Sequence, residues 1–217
     1  MEEMRFIKFN PKQDNEELSK EFIRYFESNM IVPILGSGFT VGEATAHGEV
    51  VPSGLAMKKH MLSKIFESES LKSEEKEYLK SQDFSTVSSY YEKIVEENDR
   101  RNYIKTRLSK VNLPEGKKKF ITIPFKTIYT LNTDDAIEFN SENIEVILPN
   151  KSLLDEDTLG EFRNEGKTIL FKIHGDVQEY LKYKEPFIFS NFNGTNGDID
   201  VITHEAGHAF QCYMSQY

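Results

Sequence analysis

Met30-Ile31-Val32-Pro33-Ile34-Leu35-Gly36-Ser37-Gly38-Phe39-Thr40 is an apolar, β-rich run that ends abruptly in a Gly-x-Gly turn. The run reads as a buried parallel strand. Pro33 is tolerable there near a strand end or at a bulge. A strand that feeds Gly-x-Gly lets main-chain N–H groups approach a pyrophosphate closely, because no Cβ intervenes. Alone, the motif serves a tight structural turn as well as a phosphate cradle.

Outward from this stretch, Leu18, Phe22, Ile23 and Phe26 recur at helical spacing and predict a helix over 16–26. Helices are predicted over 53–66, 73–79, 86–95 and 101–108. Strands are predicted over 127–131, 145–148 and 168–173, with a helix crossing between the last two over 153–163. Strands separated by helices in this order argue for an α/β fold, a three-layer Rossmann-like parallel sheet with helices on both faces. After Asp176 the rhythm breaks. Gln178–Lys184 is polar and aromatic, Pro186–Phe189 reads as a short strand, Asn191–Gly197 as a turn, and Asp198–Met214 as a helix.

Two more predicted strands end in compact polar groups. One is Thr127-Ile128-Tyr129-Thr130-Leu131-Asn132-Thr133-Asp134, and the other is Ile169-Leu170-Phe171-Lys172-Ile173-His174-Gly175-Asp176. In an open parallel sheet, ligands sit beyond the C-terminal strand ends. Taken singly, Asn132 and Asp134 also suit a helix cap or a turn, and His174 also suits a satisfied histidine before a glycine. Taken together, the three strand ends point to a nucleotide site.

These segments resemble the Sir2-type proteins. Gly36-Ser37-Gly38-Phe39-Thr40 is similar to their Gly-Ala-Gly-x-Ser loop, Thr130-Leu131-Asn132-Thr133-Asp134 to their Thr-Gln-Asn-Ile-Asp strand end, and Lys172-Ile173-His174-Gly175 to their Leu-His-Gly segment. Pro52-Ser53-Gly54-Leu55 resembles the opening of the helix that follows the first loop. The resemblance implies chemistry at the nicotinamide ribosyl bond of NAD. Asn132 would hold the ribose hydroxyls and water, and Asp134 would contact the nicotinamide side or support the loop. His174 would be the general base, as neutral imidazole suits proton abstraction near neutral pH. Gly36, Ser37 and Gly38 would bind phosphates, with Phe39 and Thr40 completing the cofactor loop. Sirtuin deacetylases also carry a four-cysteine zinc ribbon, which the single Cys212 cannot supply. That favours the Sir2-like NAD hydrolases of bacterial antiphage systems, in which water is the acceptor. The family's later Gly-Thr/Ser loop has no counterpart after Asp176.

A second signature lies in the C-terminal strand-turn-helix. Thr203-His204-Glu205-Ala206-Gly207-His208 contains His-Glu-x-x-His. His204 and His208 share one helix face and can both ligate Zn²⁺, with Glu205 placed to polarise a bound water. With its flanks from Pro186 to Phe210, the segment resembles the catalytic region of M3-type oligoendopeptidases. The resemblance implies a third ligand, a glutamate farther downstream, and the sequence carries no acid after His208. Two histidines alone bind zinc weakly, so robust peptidase activity is not expected.

Composition bounds the rest. Lys and Arg total 27 against 36 Asp and Glu, a net charge of −9. Such a surface repels polyphosphate backbones, so a nucleic-acid partner is not expected. Lys117-Lys118-Lys119 reads as a solvated turn. Cys212 reads as half-buried filler. No apolar run approaches the ~20 residues of a membrane span, and residues 1–10 lack a signal-peptide core. The expectation is a cytoplasmic protein, with homo-oligomer formation compatible. It comprises a Sir2-like NAD-binding domain over 1–180 and a zinc-helix segment over 184–217. NAD hydrolysis is the leading function, with a zinc endopeptidase or a non-catalytic fused product as alternatives.

Overall fold

The computed structural model describes residues 16–28, 30–68, 71–148, 160–162 and 164–183. The predicted C-terminal strand-turn-helix lies outside them, as does most of the predicted helix over 153–163. The elements in order are α1 (Glu16–Glu27), β1 (Ile34–Leu35), a 3₁₀ turn (Ser37–Phe39), α2 (Gly54–Glu67), α3 (Ser73–Ser81), α4 (Phe84–Ile94), α5 (Glu97–Leu108), α6 (Glu115–Ile121), β2 (Thr127–Thr130), α7 (Ala136–Phe139), β3 (Ile144–Ile147), β4 (Thr168–Lys172) and α8 (Val177–Tyr183). The four strands form one all-parallel sheet in the order β1-β2-β4-β3, with helices packed against it, which is the α/β class expected.

The inner pair β2 and β4 carries the most deeply buried apolar residues of the sheet. Ile128, Ile169 and Leu170 are inaccessible to solvent. Tyr129 and Phe171 are partners in the register and stack at 5.1 Å between ring centroids, a cross-strand aromatic pair. The main core joins these strands to Ile104 and Leu108 of α5, Ile121 of α6, Ala136 and Ile137 of α7, and Val177 of α8. A second core, Met57, Met61, Ile65, Leu79, Val87 and Tyr91, is built by α2, α3 and α4, with Tyr103 of α5 packed against both cores. Of the apolar residues predicted to bury α1, Phe26 packs edge-on against Phe125 at 6.1 Å, while Phe22 and Ile23 stay more than half exposed.

Two local expectations are corrected, and one helix is added. β1 is a short edge strand, not a buried one. Its ladder begins after Pro33, which has no N–H to donate, although Pro33 O still accepts from Tyr129 N at 2.9 Å. Ile34 is 72% exposed at the sheet edge. An apolar run specifies a strand but not how many of its faces are covered. The lysine run 117–119 lies within α6, not a turn. The stretch after Asp176 forms α8, because both Gln178 N (2.7 Å) and Glu179 N (3.2 Å) donate to Asp176 Oδ1, an N-cap. Among the described residues, no helix is long and apolar enough to cross a membrane.

Burial on the central strands sets stability. Leu170→Ala is expected to cost about 2–5 kcal/mol. Ile34→Ala, on the exposed edge, should stay within about 0.5 kcal/mol. Urea denaturation of the two variants checks the contrast.

Candidate functional site at the C-terminal edge of the sheet

β1, β2 and β4 are neighbours and parallel, so their C-terminal ends open on one edge. That edge brings together the loop after β1, the residues after β2 and the loop carrying His174, as the sequence predicts. After β1 the chain turns at once. Phe39 N bonds Gly36 O at 2.9 Å and Thr40 N bonds Ser37 O at 3.1 Å. Among the described residues, no main-chain acceptor takes the amides of Ser37 and Gly38. A Cβ built at Gly36 or Gly38 meets nothing within 4 Å, and neither residue has a positive φ. Neither crowding within the chain nor backbone strain therefore calls for glycine at these two positions. Their effect is to leave open space against the main chain.

Thr40, fully buried, joins this loop to β2. Its Oγ1 donates to Asp134 Oδ2 at 2.7 Å and accepts from Asn132 Nδ2 at 3.0 Å. Asn132 Nδ2 also donates to Gly36 O at 3.2 Å. Only the amide nitrogen can face that carbonyl, so the Asn132 orientation is fixed. Both its hydrogens are used inside the protein, which leaves the carbonyl oxygen Oδ1 for anything that enters. Both oxygens of Asp134 are already engaged. Oδ2 holds Thr40 and Oδ1 accepts from Ala136 N at 3.1 Å. Of the two roles implied for Asp134, this geometry fits support of the loop. Burial pushes its carboxyl up, against the Lys172 cation and these two hydrogen bonds.

A cleft of about 70 Å³ opens over these residues. Ser37, Thr40, Asn132, Thr133 and Asp134 form its polar side. Val51, Pro52, Met57 and Phe84, from the start of α2 and α4, form an apolar side. The α2 N-terminus reaches the cleft through Gly54, with Ser53 Oγ capping it by accepting from Ala56 N at 3.2 Å.

His174 sits on the same edge but does not line the cleft. It is 3% exposed. Burial lowers its pKa below the ordinary histidine value, and a hydrogen bond with the Leu131 main chain opposes that. Leu131 itself lines the cleft, so the imidazole bonds the main chain of a lining residue. Gly175, at φ 90°, makes the turn that follows His174, in a region that favours glycine.

Two lysines at the edge escaped the sequence reading. Lys117 of α6 donates from Nζ to Phe39 O at 2.7 Å, pairs with Glu43, and lies 5.5 Å from the Phe39 ring centroid. It braces the outside of the Gly-x-Gly loop. Lys172, the last residue of β4, is fully buried. Its Nζ donates to Asp134 O and Glu138 Oε1, both at 2.6 Å, to Thr133 O at 3.3 Å, and to Asp176 Oδ2. Burial disfavours the ammonium, but the Glu138 and Asp176 carboxyls outweigh it and raise the Lys172 pKa. Burial likewise pushes Asp176 up, yet Lys172 holds its carboxyl below the usual range. Glu138 is pushed up to about 8, chiefly by burial, with Lys172 opposing and Asp176 adding to the rise. Near neutral pH the cluster is thus a lysine cation, an aspartate anion and a protonated glutamic acid.

Glu205 and the zinc pair His204 and His208 lie outside the described residues. Among the described residues, no group of three or more His, Cys, Asp or Glu side chains is placed to hold a metal. No family model matches the chain, and no curated protein matches it.

Two measurements check this geometry. Thr40→Val leaves the Asn132 amide and the Asp134 carboxylate each short of a buried partner. A loss of about 1–3 kcal/mol in chemical denaturation is expected, with Thr40→Ser close to wild type. Glu138 binds a proton in the folded state between its ordinary 4.5 and about 8, so stability falls as pH rises through that window. Glu138→Gln should flatten this decline in the melting temperature.

Proposed function

We propose that this chain binds NAD at the C-terminal edge of its sheet and hydrolyses the nicotinamide ribosyl bond. The observation that carries the reading is the Asn132–Thr40–Asp134 network. It fixes one side-chain carbonyl acceptor beside a glycine loop with open main-chain amides. Ribose hydroxyls suit the Asn132 Oδ1 acceptor. A diphosphate suits the amides of Ser37 and Gly38, reinforced by the α2 N-terminus. Among the described residues, no lysine or arginine lines the cleft, so in this reading main-chain dipoles recognise the phosphates. The apolar side at Met57 and Phe84 suits a planar base. The cleft is small against the ~300–1,000 Å³ of a drug-sized ligand site. It therefore takes the ribose beside Asn132, with the diphosphate and the base reaching out along its rim and the sheet edge.

In this reading the C1′–N bond breaks, and its electron pair leaves with neutral nicotinamide. A C1′–O bond forms to water, whose proton passes to His174. The lowered pKa of His174 keeps the imidazole neutral at pH 7, the form that can accept a proton. Because the buried His174 does not line the cleft, the transfer runs through a bridging water. Asn132 Oδ1 orients the ribose and the attacking water. Thr40 and Asp134 position Asn132, their polar atoms being engaged within the protein.

The test is nicotinamide release from NAD. Asn132→Ala should reduce it by about 10²-fold or more without unfolding the protein. The acid limb of kcat/KM should have its midpoint below 6.5, because the base is a histidine of lowered pKa. Cleavage that survives Asn132→Ala would overturn the assignment. Binding without cleavage would leave a nucleotide-binding module.

A further inference from the structure

We infer that Lys172 is a positioning residue for this site. Its buried ammonium ties the loop after β2 to the loop after β4 and thereby sets the spacing of Asn132 and His174. The inference rests on the NAD reading for its consequence in catalysis, but the tie itself is independent of it. A lysine side chain is almost never fully buried unless paired, and Lys172 is inaccessible to solvent. An ammonium has three protons, and here they meet acceptors on three different elements. Asp134 O lies in the loop after β2, Asp176 Oδ2 in the loop after β4, and Glu138 Oε1 on α7.

The two loops are also joined by a main-chain bond and a side-chain bond. Val177 N donates to Thr133 O at 2.8 Å, and Gln178 Nε2 donates to Asp135 Oδ2 at 2.7 Å. Lys172 differs from these in placement. Its carbonyl partners, Thr133 and Asp134, directly follow Asn132, and its own backbone lies two residues before His174. A shift of the ammonium therefore moves both site residues. Where reacting groups must meet, a displacement of about 1 Å can cost on the order of 10²-fold in rate.

Removing the cation alone would strand two buried carboxyls, which destabilises for reasons unrelated to positioning. The informative variant neutralises the whole cluster, Lys172→Met with Glu138→Gln and Asp176→Asn. It keeps side-chain volume, and the asparagine side chain can still cap α8. Replacement of buried ion pairs by neutral residues of similar volume is often tolerated. We expect a folded protein whose amides over 131–135 and 173–177 exchange hydrogen on the order of tenfold faster than wild type. Nicotinamide release should fall about tenfold or more, with ADP-ribose affinity changed less than about twofold. Wild-type exchange and wild-type turnover in the triple variant would overturn the inference and leave Lys172 as charge balance only. If the wild-type protein releases no nicotinamide, the NAD reading fails, and the paired exchange of the two loops alone decides the tie. If the triple variant does not fold, Asp176→Asn alone removes one anchor. Unchanged exchange in both loops of that variant overturns the inference, and faster exchange in both supports it.

Discussion

Parallel pairing of β1, β2 and β4 is the constraint from which the site follows. Parallel neighbours end at the same side of a sheet. The turn after Leu35, the Asn132–Asp134 segment and the His174 loop therefore meet without any of them being long. The apolar interior of β2 and β4 holds this arrangement. Ile128, Ile169 and Leu170 exclude water beneath the edge, and the Tyr129–Phe171 pair aligns the two strands. A one-residue slip between them would turn each side chain to the opposite face and separate Lys172 from Asp134.

Above that apolar floor the edge is polar, and Thr40, Asp134 and Lys172 are paired within the protein. Buried polar groups are costly when unpaired and specific when paired. Thr40 connects the first loop to the second through one hydroxyl, which donates to Asp134 and accepts from Asn132. Lys172 connects the second loop to the third through one ammonium. The two devices differ in cost. The hydroxyl network is neutral apart from Asp134, whereas the lysine cluster needs its carboxyls to offset the burial of a charge. Its charge state is correspondingly sensitive, with Glu138 changing protonation near pH 8. The helices α2, α3 and α4 share a second core, which Tyr103 of α5 joins to that of the sheet. The cleft lies where the first turns of α2 and α4 face the strand ends.

Much of this was legible in the sequence, because period and punctuation carry it. The strands at β2, β3 and β4 and the helices α2 to α5 follow from apolar spacing. Their polar ends follow from Gly-Ser-Gly, Asn-Thr-Asp and His-Gly-Asp. The edge position of β1 was not legible, because burial of a strand depends on which neighbours cover it. α8 was obscured by its lysines and tyrosines, although Asp176 before Val177, Tyr180 and Leu181 is a capping signal followed by helical spacing. Lys117 gave no signal, since a lysine run reads alike on a helix or in a turn. Lys172 did give one. A lysine inside Ile169-Leu170-Phe171-Lys172-Ile173 is anomalous for a central strand, and that anomaly marks the buried cluster. The burial of His174 is a tertiary fact that no local pattern encodes.

One spatial claim stands above the others, that a nucleotide enters between the glycine loop and Asn132. The most direct measurement is a crystal structure of the protein with ADP-ribose. A ribose hydroxyl is expected within hydrogen-bond distance of Asn132 Oδ1, and the diphosphate against the amides of Ser37 and Gly38. ADP-ribose bound elsewhere, with the Asn132 carbonyl oxygen untouched, would contradict it.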